Sequence, residues 1–232
     1  MLTLIIIFIL IFILLSIWLF LRIHYIPIII ISLEKSQDRR DRLKDILKDI
    51  DYKIFNAVDG KKETEYIQKL KEKHVIENTL NPGQTGCLLS HITLWENFIQ
   101  KDKEHVLVLE DDIYINSIFK DFIKTHVKFP DDFDIIFLGH CFESKSDEIE
   151  NVLKYKLHKS VCPRCTHGYI ISKQGAKKFL DYFYNNKVDL PIDEMLCRII
   201  NEKKLNSYSL YPTIINQAWQ EENVLPIPST IN

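Results

Sequence analysis

The sequence lacks an excess of charge of either sign. Its 232 residues include 30 basic and 32 acidic side chains, which leaves a formal net charge of −2 at pH 7. Because a nucleic-acid binder that relies on a basic surface carries a clear positive excess, this balance argues against a nucleic-acid partner. Glycine and cysteine are scarce, with 6 and 5 residues. These counts argue against a collagen-like chain, and five scattered cysteines do not predict a complete disulfide framework.

Glycine-rich phosphate loops are also missing. Neither G-x-x-x-x-G-K-[ST] nor G-x-G-x-x-G occurs in the chain, so P-loop and dinucleotide-binding folds lose support. A nucleotide would therefore need a metal and basic side chains. Arg39, Arg40 and Arg42 follow the first expected strand and are available for this. Taken singly, each of them is better explained as part of the exposed face of a helix.

A long apolar run opens the chain. Residues 2–21 contain only Thr3 and Ser16 as non-apolar members and no charge. A helix of this length spans about 30 Å, the hydrocarbon thickness of a bilayer. The run is too long for a signal peptide, and no basic residue precedes it. The sequence therefore predicts a single-pass membrane protein, with a transmembrane anchor over residues 1–22 and one domain over residues 23–232.

The charges that flank this run bear on its orientation. Arg22, Lys35, Arg39 and Arg40 follow it, and only the amino terminus precedes it. The positive-inside rule then favours a cytosolic carboxyl-terminal domain. That bias can be overridden, so the secretory lumen stays open as the alternative side.

Strand and helix patterns alternate after the apolar run. The expected strands are short continuous apolar runs, and the expected helices carry apolar residues on one stripe. This alternation predicts an α/β domain with a largely parallel sheet. The expected strands cover residues 28–33, 53–58, 105–109, 134–138, 169–172 and 208–215, and the clearest helices cover 36–50, 61–74, 87–100 and 191–200.

Three consecutive carboxylates form the strongest local signal. Glu110, Asp111 and Asp112 follow the buried strand of VLVLEDDI, at the edge where open α/β sheets bind ligands. Adjacent carboxylates repel one another unless water or a cation neutralises them. Mg²⁺ and Mn²⁺ prefer such hard oxygen ligands. A solvated acidic loop or a helix cap is the equal alternative on this tripeptide alone.

Two further places carry titratable groups. Asp193 and Glu194 lie in the first turn of a helix opened by Pro191. The amide dipoles there stabilise the anion that a general base needs, although acidic residues also favour helix starts for local reasons. Ser90 and His91 are neighbours on one helix and face apart, so they do not form a nucleophile pair. His91 is expected at a helix surface or on a cleft wall.

The sequence Cys162-Pro163-Arg164-Cys165 is a CxxC motif with His158 and His167 nearby. A zinc site needs about four ligands, and no second cysteine pair lies at finger spacing. The motif does not follow an early strand either, as a thioredoxin-like site would. A structural or incidental pair is the favoured interpretation, with a zinc-binding membrane module as a further alternative.

Several motifs in order resemble glycosyltransferase family 25, the family of lipopolysaccharide β-galactosyltransferases and procollagen galactosyltransferase domains. Their order and spacing carry the resemblance, and they span nearly all of the chain after the apolar run. The chain departs from the family at Ser32-Leu33-Glu34, where Asn-Leu-Asp is usual. The matching segments are IIIISLEKSQDRRDRL (28–43), FNAVDG (55–60), NPGQTGCLLSHITLW (81–95), VLVLEDDI (106–113), DIIFLG (134–139), THGYIISKQGAKKFL (166–180) and PIDEML (191–196).

The resemblance implies a GT-A-type, Rossmann-like domain that binds a nucleotide sugar and transfers the sugar with inversion. It implies Mn²⁺ or Mg²⁺ at an equivalent of the DxD motif, with Asp112 as the best ligand and Glu110 in support. Asp193 is the expected base, with Glu194 second. The residues expected around the nucleotide and the sugar are Arg39, Asp59, Gly86, Ser90, His91 and Asp111.

The leading hypothesis is thus a membrane-anchored, metal-dependent enzyme that moves a sugar, most simply galactose, from a UDP-sugar to a hydroxyl group. A glycan, a lipid-linked sugar or a protein is the acceptor. The alternative is a catalytically inactive GT-A-fold protein that binds or scaffolds at a membrane. Intact EDD and PIDEM motifs favour the enzyme. The segment QAWQEENVLP (217–226) has no histidine, leaves the distal metal ligand unassigned and favours the alternative.

Overall fold

A computed structural model describes residues 2–24, 26–62, 64–73, 75–76, 79–125, 127, 129–144, 148–152 and 155–217, without the side chains of 2–4, 17–24 and 148–152. Helices and strands alternate over most of this length. The helices are α1 Leu2–His24, α2 Gln37–Ile46, α3 Glu65–Glu72, α4 Pro82–Ile99, α5 Ile118–Lys124, α6 Lys173–Asn185 and α7 Ile192–Asn201. The strands are β1 Ile28–Ser32, β2 Lys53–Asn56, β3 His105–Glu110, β4 Ile113–Ile115, β5 Ile135–Cys141, β6 Glu148–Val152, β7 Tyr155–Lys159, β8 Arg164–Ser172, β9 Ser207–Tyr211 and β10 Ile215–Gln217.

An eight-stranded sheet in the order β2-β1-β3-β8-β5-β9-β7-β6 forms the centre of the described chain. Six of these strands point the same way, and β8 and β7 run against them. The expected α/β fold is therefore confirmed, and so is the prevailing strand direction. The antiparallel insertion of β8 between β3 and β5 was not expected. Strands β10 and β4 pair separately as a small antiparallel ribbon.

The sheet separates two apolar cores. On β3, Val106 and Val108 belong to the core beneath α3, α4, α6 and α7, whereas Leu107 and Leu109 belong to the core beneath α2 and α5. Side chains alternate between the two faces of a strand, and both faces of this strand are covered. This double burial explains why the sequence of β3 is a continuous apolar run rather than an alternating one.

Helix α4 begins earlier than its apolar stripe indicates. The side chain of Asn81 accepts a hydrogen bond from the Gln84 amide, and the Gln84 side chain accepts one from the Asn81 amide. This reciprocal capping box, with Pro82 in the first turn, starts the helix at Pro82 instead of at the expected Cys87. The Asn81-Pro82-Gly83 segment, which precedes the expected helix, is therefore its start.

The expected membrane anchor over residues 1–22 coincides with α1. In α1 the structure describes side chains only for residues 5–16, and over the residues so described no helix is long and apolar enough to qualify as a membrane span. The anchor and membrane contact through residues 2–21 stay predictions. Residues 218–226 of the altered carboxyl-terminal segment lie outside the described residues.

The loop after β2 packs directly on α4. A Cβ atom added at Gly86 would lie 2.7 Å from the Val58 carbonyl oxygen and 2.8 Å from the Gly60 nitrogen. Both neighbours are backbone atoms, which cannot rotate away. The contact therefore requires glycine at position 86, and it places the residues that follow β2 beside the amino-terminal half of α4.

We expect Gly86→Ala to destabilise the protein by about 1–3 kcal/mol, because the new methyl group overpacks this contact. The control is Gly83→Ala in the first turn of the same helix, at a position that is only half-buried. There alanine should be neutral or should stabilise by about 0.5–1 kcal/mol through helix propensity. Urea unfolding followed by circular dichroism measures both. Equal losses in the two variants would contradict the close approach.

Candidate functional site

A cavity of about 700 Å³ opens at the carboxyl ends of β1 and β3. Its walls are the segment after β1, the loop after β2, the first turns of α4 and α7, and the start of β8. Ligands bind at this edge in open α/β sheets. All of the sequence-predicted site residues line the cavity, namely Arg39, Asp59, Gly86, Ser90, His91, Glu110, Asp111, Asp112, Asp193 and Glu194.

Asp111 is held by protein groups on both carboxylate oxygens. Arg39 donates to Oδ1 at 2.5 Å, and the Ser32 hydroxyl donates to Oδ2 at 2.8 Å. Arg39 and Asp111 are each 7% exposed, so this is a buried ion pair, and loss of either partner would leave an uncompensated charge. The pair joins α2 to the end of β3 and sets the floor of the cavity.

Arg40 and Arg42, on the same helix as Arg39, donate hydrogen bonds to backbone carbonyl groups. Arg42 donates to the carbonyl oxygens of Asp111 and Ile113, which braces the turn after β3. Arg40 donates to the Ser32 carbonyl and to the Asn56 side chain, which ties β1 to β2. Burial lowers the pKa of Arg42. The interpretation of Arg39, Arg40 and Arg42 as the exposed face of a helix is therefore wrong, because Arg39 is buried and the other two are half-buried and bound to protein groups.

The Glu110 side chain points toward α4, whereas that of Asp111 points toward α2. Its Oε1 accepts from the Thr166 hydroxyl at 2.6 Å and lies 3.3 Å from His91 Nε2. Burial raises the pKa of Glu110, but hydrogen bonds and charge from His91 and Thr166 outweigh it and leave the pKa lowered. His91 is fully buried and its Nδ1 lies 2.7 Å from the Tyr169 hydroxyl. Of the two expected positions, the structure therefore excludes the helix surface and places His91 in the wall of the cavity.

Asp112 differs from its two neighbours. Its Oδ1 atom is buried and has no hydrogen-bond partner within the described part of the chain. Burial, followed by the charge of Glu110, raises the pKa of Asp112 to about 7. An orphaned buried carboxylate beside two others is the environment that a divalent cation would neutralise. The residues present therefore fit the metal that the sequence predicts.

The first turn of α7 forms the opposite wall. Asp193 Oδ2 accepts from the Cys165 amide at 3.2 Å, and Oδ1 accepts from the Glu194 amide at 3.0 Å. Backbone N–H groups at a helix start stabilise a carboxylate as the anion. Glu194 is engaged in an ion pair with Arg164, with an N–O distance of 2.8 Å. Of the two carboxylates, Asp193 has no cationic partner among the ion pairs of the described residues.

The remaining predicted residues shape the rim. Lys35 binds the Asp59 carboxylate at 2.7 Å, and this hydrogen bond is the main cause of the lowered pKa of Asp59. Ser90 donates to the Gly86 carbonyl and accepts from the Val58 amide. Its hydroxyl therefore fastens the loop after β2 to α4.

The disulfides confirm the structural interpretation of the CxxC cysteines and rule out the zinc alternative. Cys162 forms a disulfide with Cys197, and Cys165 forms one with Cys141. The CxxC pair is thus neither incidental nor a zinc site, because its two thiols belong to separate cross-links. These bonds connect the start of β8 to α7 and to the end of β5. Sequence spacing could not reveal this, since the partners lie 24 and 35 residues apart.

Other residues of the cavity were not selected from the sequence. Lys35, Cys87, Thr166 and Cys165 line it. Lys35, Cys87 and Thr166 all lie in motifs quoted for the family resemblance, which was the available signal. Lys35 and Cys87 gave no local pattern of their own, because their positions depend on the packing of α4 and of the segment after β1.

The model of glycosyltransferase family 25 (LPS biosynthesis protein) matches residues 25–196. The chain belongs to glycosyltransferase family 25. The match begins just before β1 and ends within α7, so it contains every wall of the cavity named above.

Curated members of the family are similar over most of this chain. Procollagen galactosyltransferase 2 of Homo sapiens is 31% identical over 204 residues, which is 79% of this chain and 32% of that protein. Procollagen galactosyltransferase 1-B of Xenopus laevis is 30% identical, covering 78% and 32%. A glycosyltransferase 25 family member of Aedes aegypti is also 30% identical, with the same coverage. The chain thus spans about a third of the length of these relatives.

Similarity to solved structures is low. A glycosyltransferase involved in the glycosylation of the major capsid of PBCV-1 has 13% identity and a TM-score of 0.35, covering 76% of this chain and 66% of that chain. A197 from STIV has 12% identity and a TM-score of 0.38, covering 88% and 99%.

The buried Asp112 carboxylate predicts a pH dependence of stability. Between pH about 4 and about 7 the folded state keeps a proton on Asp112 that the unfolded chain has released. The contribution of this group to the free energy of unfolding therefore falls as the pH rises through this window. In EDTA, Asp112→Asn should remove that fall and be more stable than the wild type at pH 7.

Urea denaturation at a series of pH values measures this difference. Asp102→Asn, at an exposed carboxylate, is the matched control and should keep the wild-type pH profile. An Asp112→Asn profile parallel to that of the wild type would show that Asp112 is not held in a desolvated, uncompensated site.

Proposed function

We propose that this family 25 chain is an inverting glycosyltransferase of the GT-A type that uses a UDP-sugar, most simply UDP-galactose. One observation carries the proposal. Asp112, whose Oδ1 atom is buried and has no hydrogen-bond partner among the described residues, lies in the same cavity as the helix-start carboxylate Asp193, at the carboxyl edge of the sheet. Transfer with inversion by a single displacement uses a base for the acceptor hydroxyl, and a cation site would stabilise the departing diphosphate.

The proposed cation site uses Asp112, with Glu110 in support, and takes Mn²⁺ or Mg²⁺. When bound, this metal would neutralise charge on the departing diphosphate. The protein contributes a fixed geometry. Arg39 and Ser32 hold Asp111 on both oxygens, and Arg42 braces the turn, so Asp112 is presented to the cavity from a rigid backbone.

The proposed base is Asp193. The Cys165 and Glu194 amides donate to its two oxygens and orient the carboxylate toward the cavity. In a single displacement the acceptor oxygen attacks the anomeric carbon, its proton passes to Asp193, and the bond to the UDP oxygen breaks. Glu194 is the weaker candidate, because Arg164 already pairs with it.

The rim of the cavity is the proposed contact area for the donor. Asp59, Gly86, Ser90 and His91 surround it together with Arg39 and Asp111. The last two are engaged with each other, so we propose that they support the nucleotide site by holding its floor. A glycan, a lipid-linked sugar or a protein remains the proposed acceptor, each through a hydroxyl group.

The activity is tested by incubating the full chain with a panel of UDP-sugars and Mn²⁺ and measuring the UDP released. At least one donor should be hydrolysed or transferred, and Asp112→Ala should abolish the release. If no donor gives UDP while the protein is folded, the enzyme proposal fails and the non-catalytic binding alternative takes its place.

Asp193→Asn separates binding from chemistry. The amide is nearly isosteric but cannot accept the acceptor proton, so transfer should fall by about 10²–10⁴-fold while donor affinity is retained. Asp189→Asn is the control, because this neighbouring carboxylate pairs with Arg198 outside the cavity. Normal transfer by Asp193→Asn would remove the base assignment without affecting the cation site.

We also propose that the domain matures in an oxidising compartment. Two disulfides persist in secretory or extracytoplasmic proteins and are rare in the cytosol. This argument favours the lumenal alternative over the cytosolic side indicated by the flanking charges.

Thiol counting tests this proposal on the full chain isolated from its natural host. Without reductant, the unfolded chain should react with one maleimide, at Cys87, and after reduction with five. Cys87→Ser should lower each count by one. Five reactive thiols before reduction would contradict an oxidised domain.

A further inference from the structure

We infer that Cys87, His91 and Glu110 form a binding site for Zn²⁺ at the floor of the cavity. Their ligand atoms, a thiol sulfur, an imidazole nitrogen and a carboxylate oxygen, all lie within 4.8 Å of one another. Three protein ligands with one open position is the composition of zinc sites that keep a labile coordination position. The inference does not rest on the proposed sugar transfer.

The backbone brings the first two ligands together. Cys87 and His91 are four residues apart on α4, so they project from the same face of the helix. Glu110 ends β3 and meets this face from the sheet. In the structure His91 Nε2 and Glu110 Oε1 are 3.3 Å apart. Tetrahedral zinc bound to one nitrogen and one oxygen holds these atoms about 3.4 Å apart, so this edge of the site is already formed.

Neighbouring side chains orient the ligands. Tyr169 lies 2.7 Å from His91 Nδ1, and its hydroxyl can accept a hydrogen bond from Nδ1–H. With zinc bound, the imidazole proton would lie on Nδ1, and Nε2, which meets Glu110 in the metal-free structure, would give its lone pair to the ion. Thr166 donates to Glu110 and limits its rotation. In metal sites, groups that hydrogen-bond to the ligands on the side away from the metal usually hold those ligands in position.

The ligand chemistry separates this site from the one proposed at Asp112. Thiolate and imidazole favour zinc, whereas Mg²⁺ and Mn²⁺ prefer oxygen ligands alone. Glu110 is the residue that both sites would use. Zinc binding displaces the Cys87 proton to solvent. All three ligands line the cavity, so the fourth position of the ion would be open to an oxygen ligand from it.

Cobalt substitution tests the site through a signal that only Cys87 can give. The other four cysteines are in disulfides, so a sulfur-to-cobalt charge-transfer band must come from this thiol. Titration of the full chain with Co²⁺, without reductant or nucleotide sugar, should produce this band at one equivalent, and Zn²⁺ should abolish it.

Matched variants define the ligands. Cys87→Ser should lose the band, and His91→Ala should weaken Zn²⁺ binding at least tenfold in a competition titration. Asp112→Asn should keep both the band and the affinity. Tyr169→Phe removes the orienting hydroxyl and should weaken binding by about 10- to 100-fold while the band is retained at saturation. Circular dichroism and thermal unfolding without metal confirm that each variant is folded.

Absence of the band in the folded wild type, or an unchanged zinc affinity in Cys87→Ser and His91→Ala, would overturn the inference. Loss of the band in Asp112→Asn with an intact fold would instead assign the ion to the acidic turn and also reject this ligand set. None of these outcomes depends on UDP release, so failure here and failure of the proposed enzyme activity are distinguishable.

Discussion

The placement of three adjacent carboxylates at the end of a buried strand is the constraint on which the rest of the site depends. Like charges this close cannot all be desolvated without compensation. The fold satisfies each one differently. Asp111 turns toward α2 and pairs with Arg39, Glu110 turns toward α4 and meets His91 and Thr166, and Asp112 is left without a partner for Oδ1. This uneven compensation is the reason why Asp112 is the proposed cation ligand.

The two helices that compensate these charges also build the walls of the cavity. Helix α2 contributes arginines that brace the backbone around the acidic turn. Helix α4 starts at a capping box and lies against the loop after β2 through Gly86. The disulfides connect the start of β8 to α7 and to the end of β5, and the Cys165 amide holds the Asp193 carboxylate. Charge compensation and cross-linking thus act on opposite sides of one cleft.

Local patterns predicted much of this arrangement. The apolar runs of β1, β3 and β5 and the acidic residues after β3 could be read from the sequence, because burial on both faces of a strand requires such runs. The position of β8 could not, since an apolar strand does not reveal its direction or neighbours. The start of α4 was missed because Asn-Pro-Gly suits both a turn and a capped helix start.

The sequence by itself determined the α/β class, the carboxyl edge of the sheet as the site and the candidate carboxylates, because hydrophobic periodicity and strand ends are local properties. Only the tertiary structure decided which carboxylate keeps an unpartnered oxygen, which cysteines pair, and that Cys87 and His91 meet Glu110. Those outcomes depend on distances between segments that are far apart in the chain. Electrostatic compensation and disulfide bonding act over a few ångströms in space, and sequence separation does not report that distance.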